Sequence, residues 1–295
     1  HAVAHAVAHA VDDPPDPNRL VRSAVAAAGW IGVVVAGAAW LLARLMPVSD
    51  LQLLKALAGY ALLLPPLFLA LRAHRPHDRF GPANTVTLFR AGIVCLLASL
   101  FGERWNDNEW LVASAAIVAL ALDGVDGWLA RSRGIESRFG ARFDMEIDAL
   151  LVMVLSVLAW QSGQAGAWVL AAGLMRYAFV AAIPFWRWLG RPLPPSQRRK
   201  TVCVLQLIGL IACIAPALPD PWRAASAASA VALVAASFAI DIAWRTVWQE
   251  ARHQPAEARQ GLVVGAVGLV AVAAQAQVAG EGAGLEVQDQ VGAGG

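Results

Sequence analysis

Charge is what this sequence lacks most. Only 15% of its 295 residues are charged, against 58% hydrophobic. A soluble domain carries about 25% charged residues, and too little polar surface is present here to cover one water-soluble core. Cysteine is scarce too: Cys95, Cys203 and Cys213 all lie in apolar runs, which excludes a disulfide framework and reads as small buried hydrophobes. No segment alternates with period two, so membrane β-strands are excluded. There is no internal repeat of the kind transporter halves show, and no secretory signal with a small-residue cleavage site. The chain starts on His1 instead of Met, as expected of a fragment or an unusual start. What remains is the composition of an integral membrane protein, with an all-α, polytopic helix bundle as the expected fold.

Eight apolar segments fit that expectation, over 24–43, 52–71, 85–101, 109–130, 142–160, 166–186, 201–216 and 223–244. A crossing helix needs about 20 apolar residues. With the N-terminus inside, 18 of the 23 Lys and Arg fall on cytoplasmic segments, Arg90 among them. Arg44, Lys55, Arg104 and Arg223 fall outside, and Arg176 lies within a span. Both termini are therefore expected in the cytoplasm. Trp105, Trp110, Trp160, Trp168 and Trp222 should mark the outer border, and Trp186, Trp188, Trp244 and Trp248 the inner one. The expected organisation is a low-complexity, disordered tail over 1–20, two extra membrane helices over 21–72, a six-span core over 73–250 and a low-complexity tail over 251–295. The first tail spaces His1, His5 and His9 on one potential helix face, but its repeat reads as low complexity before it reads as a metal site. A 13-residue apolar run at 262–274 is too short for a span.

Four carboxylates stand out: Asp123 and Asp126 at the end of one span, Asp144 and Asp148 at the start of the next. Spacings of three and four put each pair on one helix face, and a short connection makes the helices antiparallel neighbours. Four facing anions beside lipid are costly unless cations lie between them. All-oxygen ligands favour Mg2+ or Mn2+, and two such ions could clamp a pyrophosphate. Gly127 and Ala130 leave room for a ligand, Gly140 gives clearance at the next helix, and Arg131 offers a fork suited to phosphate oxygens. Glu146 falls about 160–200° around the helix from its acidic neighbours, away from the site or as a supporting partner.

The run D-x-x-D-G-x-x-A-R-x(8)-G-x(3)-D-x(3)-D, filled by Asp123, Asp126, Gly127, Ala130, Arg131, Gly140, Asp144 and Asp148, resembles the signature of the CDP-alcohol phosphotransferase family. The similarity extends over about 84–248. Members commonly open their first span with a segment like Asn84-Thr-Val-Thr87-Leu-Phe-Arg90. The resemblance implies transfer of a phosphatidyl group from CDP-diacylglycerol to the hydroxyl of a polar alcohol at the cytoplasmic face of the cell membrane, with release of CMP, in phospholipid biosynthesis. By the same resemblance Asp123, Asp126 and Asp144 hold metals, and Asp148 contacts a metal and acts as general base. Gly127 and Ala130 line the cytidine site, with Arg131 near it. Relatives are often dimers, so a homodimer is an expectation; no nucleic-acid partner is.

Two features bear on the acceptor. Arg176, inside a span, faces either a substrate headgroup or an ion-pair partner, with Asp241 the obvious mate. Arg199 and Lys200 open the next helix, where an anion is also favoured; they suit a phosphate-bearing alcohol, anionic lipid heads or plain topology. Tyr177 after Arg176, and Ile183-Pro184 beyond it, depart from the pattern of phosphatidylglycerophosphate synthases. The competing expectations are a CDP-choline or CDP-ethanolamine transferase acting on diacylglycerol, a polytopic cation transporter, and a silent membrane scaffold.

Overall fold

The computed structural model describes residues 17–74, 77–134, 137–190 and 196–251. The terminal histidines, Arg252, Arg259 and the run at 262–274 lie outside the described residues. Eight α-helices occur among them: α1 (Pro17–Leu45), α2 (Leu51–Ala70), α3 (Pro82–Ala98), α4 (Glu109–Ser132), α5 (Arg138–Gln161), α6 (Leu170–Ala182), α7 (Gln197–Ile214) and α8 (Asp220–Ala251). No strand is present among the described residues. Each expected apolar segment is thus helical.

Four helical stretches are long and apolar enough to cross a membrane alone: Asn18–Leu45, Leu51–His74, Glu109–Ser132 and Asp220–Thr246. Pro82–Ala98 and Ala167–Ala182 are apolar but shorter. α5 carries its charges in its first three turns and α7 in its first, which is why neither reads as a plain apolar rod. Large apolar side chains such as Leu62 (76% exposed) and Leu69 (79%) face outward, as lipid contact requires. Trp105 is a correction to the aromatic border: it is fully buried. Arg223, counted as an outer loop charge, is buried too; it donates to the carbonyls of Cys213 and Ile214 and pairs with Glu109 at 3.0 Å. All three cysteines are free, with Cys95 and Cys213 buried.

Two compact units divide the chain, one within His1–Arg176 and Thr201–Ala232, the other within Tyr177–Lys200 and Leu233–Gly295. In the first, α3 is the central helix. It packs against α1, α2, α4 and α5 and buries residues around most of its circumference, from Ala83 to Leu97. Gly81 has φ +80° and Pro82 opens the helix, so the turn into α3 uses a conformation only glycine takes freely and a start only proline presets. α5 begins at Ser137, whose hydroxyl accepts from the Gly140 amide at 2.9 Å. That hydroxyl also meets His74 Nδ1 at 2.8 Å, while His74 Nε2 donates to the Arg79 carbonyl at 2.9 Å.

The two N-terminal helices belong to this core. A Cβ at Gly92 of α3 would lie 2.7 Å from Val35 of α1. Tyr60 of α2 donates to the Ala28 carbonyl of α1 at 2.9 Å. Beyond α3, Glu103 accepts from Lys55 and from both the amide and the hydroxyl of Ser49. Burial works to raise the Glu103 carboxyl, but Lys55 and the two Ser49 donors outweigh it and hold it below the usual glutamate range.

Two predictions follow from this packing. At neutral pH Glu103→Gln should lower the unfolding temperature in detergent. A depressed carboxyl contributes stability above the unfolded-state pKa of about 4.3 and loses it as pH falls through its folded value. The gap between variant and parent should therefore close below pH of about 4; a gap independent of pH contradicts the ion-pair assignment. A Cβ at Gly173 would meet the Met153 Cα at 2.6 Å, whereas one at Gly37 meets nothing within 4 Å. Gly173→Ala should destabilise by about 1–3 kcal/mol, and Gly37→Ala should not, both read by thermal unfolding.

Candidate active site

Four aspartates come from two helices. Asp123 and Asp126 lie near the C-terminal end of α4, Asp144 and Asp148 in the first three turns of α5. The two pairs turn toward a common volume. One oxygen from each of Asp123, Asp126 and Asp144 falls within 4.8 Å of the others. The Asp148 carboxylate stands outside that trio and closes the ring one turn further along α5.

At the centre lies a side chain that sequence reasoning placed in a cytoplasmic loop. Arg90 of α3 is 0% exposed. Its Nη1 is 2.6 Å from Asp144 Oδ1, 2.9 Å from Asp126 Oδ2 and 3.0 Å from Asp123 Oδ1, and its Nη2 donates to Asp148 Oδ1. All four carboxylates thus share one guanidinium. Thr87, one turn earlier on α3, lies with its hydroxyl 2.8 Å from Asp126 Oδ2 and donates to it. The signal for Arg90 was present in the sequence: it is an arginine inside an apolar helix, the same anomaly that singled out Arg176.

One positive and four negative formal charges leave this cluster strongly anionic, and its hydrogen bonding is incomplete. Asp126 is 3% exposed, yet its Oδ1 is buried without a hydrogen-bond partner among the described residues. A buried carboxylate oxygen with nothing to accept from is expensive. An all-carboxylate donor set with one buried, unpartnered oxygen fits a hard divalent ion.

The remaining expected residues are spread around this centre. Gly127 and Ala130 follow on α4, half-buried, and the exposed Arg131 lies over Gly127, where a Cβ would be 3.2 Å from its Nη1. Gly140 clears a protein neighbour: a Cβ there would sit 2.8 Å from Asn84 Oδ1 and 3.2 Å from Ser137 Oγ. Arg176 has an ion-pair partner other than the expected one: its Nη2 donates to Glu146 Oε1 at 2.6 Å, because the far side of α5 faces it. Glu146 is therefore the ion-pair partner of Arg176. In the other unit, Asp241 binds Arg198 and lies 3.7 Å from Arg199, while Lys200 is exposed.

A family model described as CDP-alcohol phosphatidyltransferase matches residues 80–243, more than half of the chain. No curated protein and no solved structure gives a significant match.

Asn84 and Ser137 are both tied down, Asn84 by a 2.5 Å bond to the Phe80 carbonyl, so neither can swing from an added methyl. Gly140→Ala should lower stability by about 1–3 kcal/mol, while Gly127→Ala, which meets only the end of a mobile arginine, should stay within about 0.5 kcal/mol. Unchanged unfolding of Gly140→Ala would assign its clearance to a ligand instead of to α3.

Proposed function

The chain belongs to the CDP-alcohol phosphatidyltransferase family, a transferase family, and from that premise we propose that it moves a phosphatidyl group from CDP-diacylglycerol to the hydroxyl of a small polar alcohol, releasing CMP. The observation that carries this reading is the convergence of Asp123, Asp126, Asp144 and Asp148 on one point at the ends of two apolar helices. Asp123, Asp126 and Asp144 would hold the divalent ions, Mg2+ or Mn2+, with Asp148 beside them. Such ions supply charge neutralisation of the pyrophosphate and of the attacking and leaving oxygens.

The protein's own groups do the rest. Phosphoryl transfer asks for positioning and charge placement more than for covalent help. Asp148 takes the proton of the acceptor hydroxyl as its oxygen bonds to the lipid-linked phosphorus and the P–O bond to CMP breaks. Arg90, on the carboxylate of Asp148, orients that base. Gly127 and Ala130 give the nucleotide access to the α4 backbone, and Arg131 binds phosphate or cytidine oxygens from the exposed rim. Arg176 is a candidate for contact with the acceptor headgroup, and Arg199 and Lys200 for an acceptor phosphate or a lipid head. The excess of Lys and Arg on one side of the spans supports a cytoplasmic position for the reaction.

The test is CMP release from CDP-diacylglycerol by the purified full chain with Mg2+ or Mn2+, across glycerol 3-phosphate, inositol phosphate, inositol and serine, with CDP-choline and diacylglycerol as the alternative pair. Asp148→Asn should lower turnover by about 10²–10⁴-fold with unfolding temperature retained, and chelation should abolish turnover. Turnover of Asp148→Asn close to that of the parent removes the proposed base. Cation flux across sealed vesicles without CMP release overturns the transferase reading.

A further inference from the structure

The environment of Arg90 Nη1 is unusual for an ion pair. A guanidinium NH2 has two hydrogens. Here its nitrogen lies 2.6–3.0 Å from three carboxylate oxygens. Hydrogen bonds run to Asp126 and Asp144, which leaves Asp123 in contact by charge alone. A directional donor cannot satisfy three acceptors with two protons, whereas a spherical cation has no such limit. The same three residues each offer one carboxylate oxygen within 4.8 Å of the others, as a potential ligand set. Among the described residues, buried Asp126 Oδ1 has no hydrogen-bond partner, and neither has Arg90 Nε.

We infer that Arg90 Nη1 is a tethered cation standing in the place of a divalent ion, so that metal binding at Asp123, Asp126 and Asp144 requires Nη1 to withdraw. The inference rests on reading these aspartates as the metal centre. Its physical content is a competition. Four carboxylates at apolar helix ends repel one another unless a cation lies between them, and Arg90 supplies that cation from α3 before any ion arrives. Within an enclosed space at about 3 Å from all three oxygens, Nη1 and an ion exclude each other. The bridged state is then a metal-incompetent population, and the apparent affinity for metal is lowered by the fraction of time spent in it. In exchange, the metal-free protein keeps its carboxylates together. Divalent ions become a switch that frees Nη1 for the anionic charge of the nucleotide-linked lipid while Nη2 keeps its hold on Asp148, so occupancy of the metal centre and exposure of a phosphate-binding donor are coupled.

The test compares Mn2+ binding by the full-length parent and Arg90→Gln in detergent, counted by electron paramagnetic resonance, with unfolding temperature recorded with and without the ion. Arg90→Gln should bind Mn2+ about tenfold or more tightly, should unfold at a lower temperature than the parent without metal, and should gain more from Mn2+. Equal or weaker binding by a folded Arg90→Gln overturns the inference while leaving the metal reading intact. Absence of Mn2+ binding in both proteins overturns that reading and the inference with it. Should Arg90→Gln fail to fold without metal, the decision passes to the parent. Anomalous scattering from Mn2+-loaded crystals should place an ion among Asp123, Asp126 and Asp144 with Nη1 withdrawn. An ion elsewhere, with Nη1 still on all three, overturns the inference.

Discussion

One guanidinium among four carboxylates is the constraint on which the polar end of this protein depends. Acidic side chains at the ends of apolar helices face a poor solvent and one another, and both costs fall only if opposite charge is placed between them. Arg90 does so from a helix whose own position leaves little freedom. α3 is enclosed by α1, α2, α4 and α5, and the close approaches at Gly92 and Gly140 fix its distance from α1 and α5. The two N-terminal helices therefore act on the site through packing: they hold α3, and α3 holds Arg90 and Thr87 against the aspartates. The Glu103 cluster with Lys55 and Ser49 secures α2 at the other end of α3.

Much of this was legible in the residues. Hydropathy located all eight helices, because an apolar run of membrane length has few other uses. The spacings of three and four located the acidic pairs, because a helix converts them into faces. What sequence reasoning missed was Arg90. Counted with its neighbours as a topology charge, it looked like part of the positive-inside pattern; its burial depends on how five helices pack, which linear spacing does not encode. The partner of Arg176 was missed for a related reason. Asp241 was named by charge as the mate for one of two alternatives, but Glu146 lies on the far face of α5 opposite Arg176, and only the packing reveals which faces meet. Trp105 and Arg223 were likewise assigned by residue type to the outer membrane border and an outer segment, although tertiary contacts bury both.

Gly140 shows a different limit. A glycine at a helix start beside two aspartates invites a ligand-clearance reading, yet its missing Cβ makes room for Asn84 and Ser137. The same residue type at Gly127 faces only the side chain of Arg131. Glycines of one motif thus do different physical work, and membership of the family, now shown over residues 80–243, does not by itself separate them.

The central claim is that this acidic ring binds divalent ions. Isothermal titration of the full chain with Mn2+, set beside the same titration of Asp126→Asn, addresses it most directly. The account expects saturable binding in the parent and its loss, or a weakening by orders of magnitude, when the buried Asp126 carboxylate becomes an amide. Identical isotherms from two equally folded proteins would contradict it.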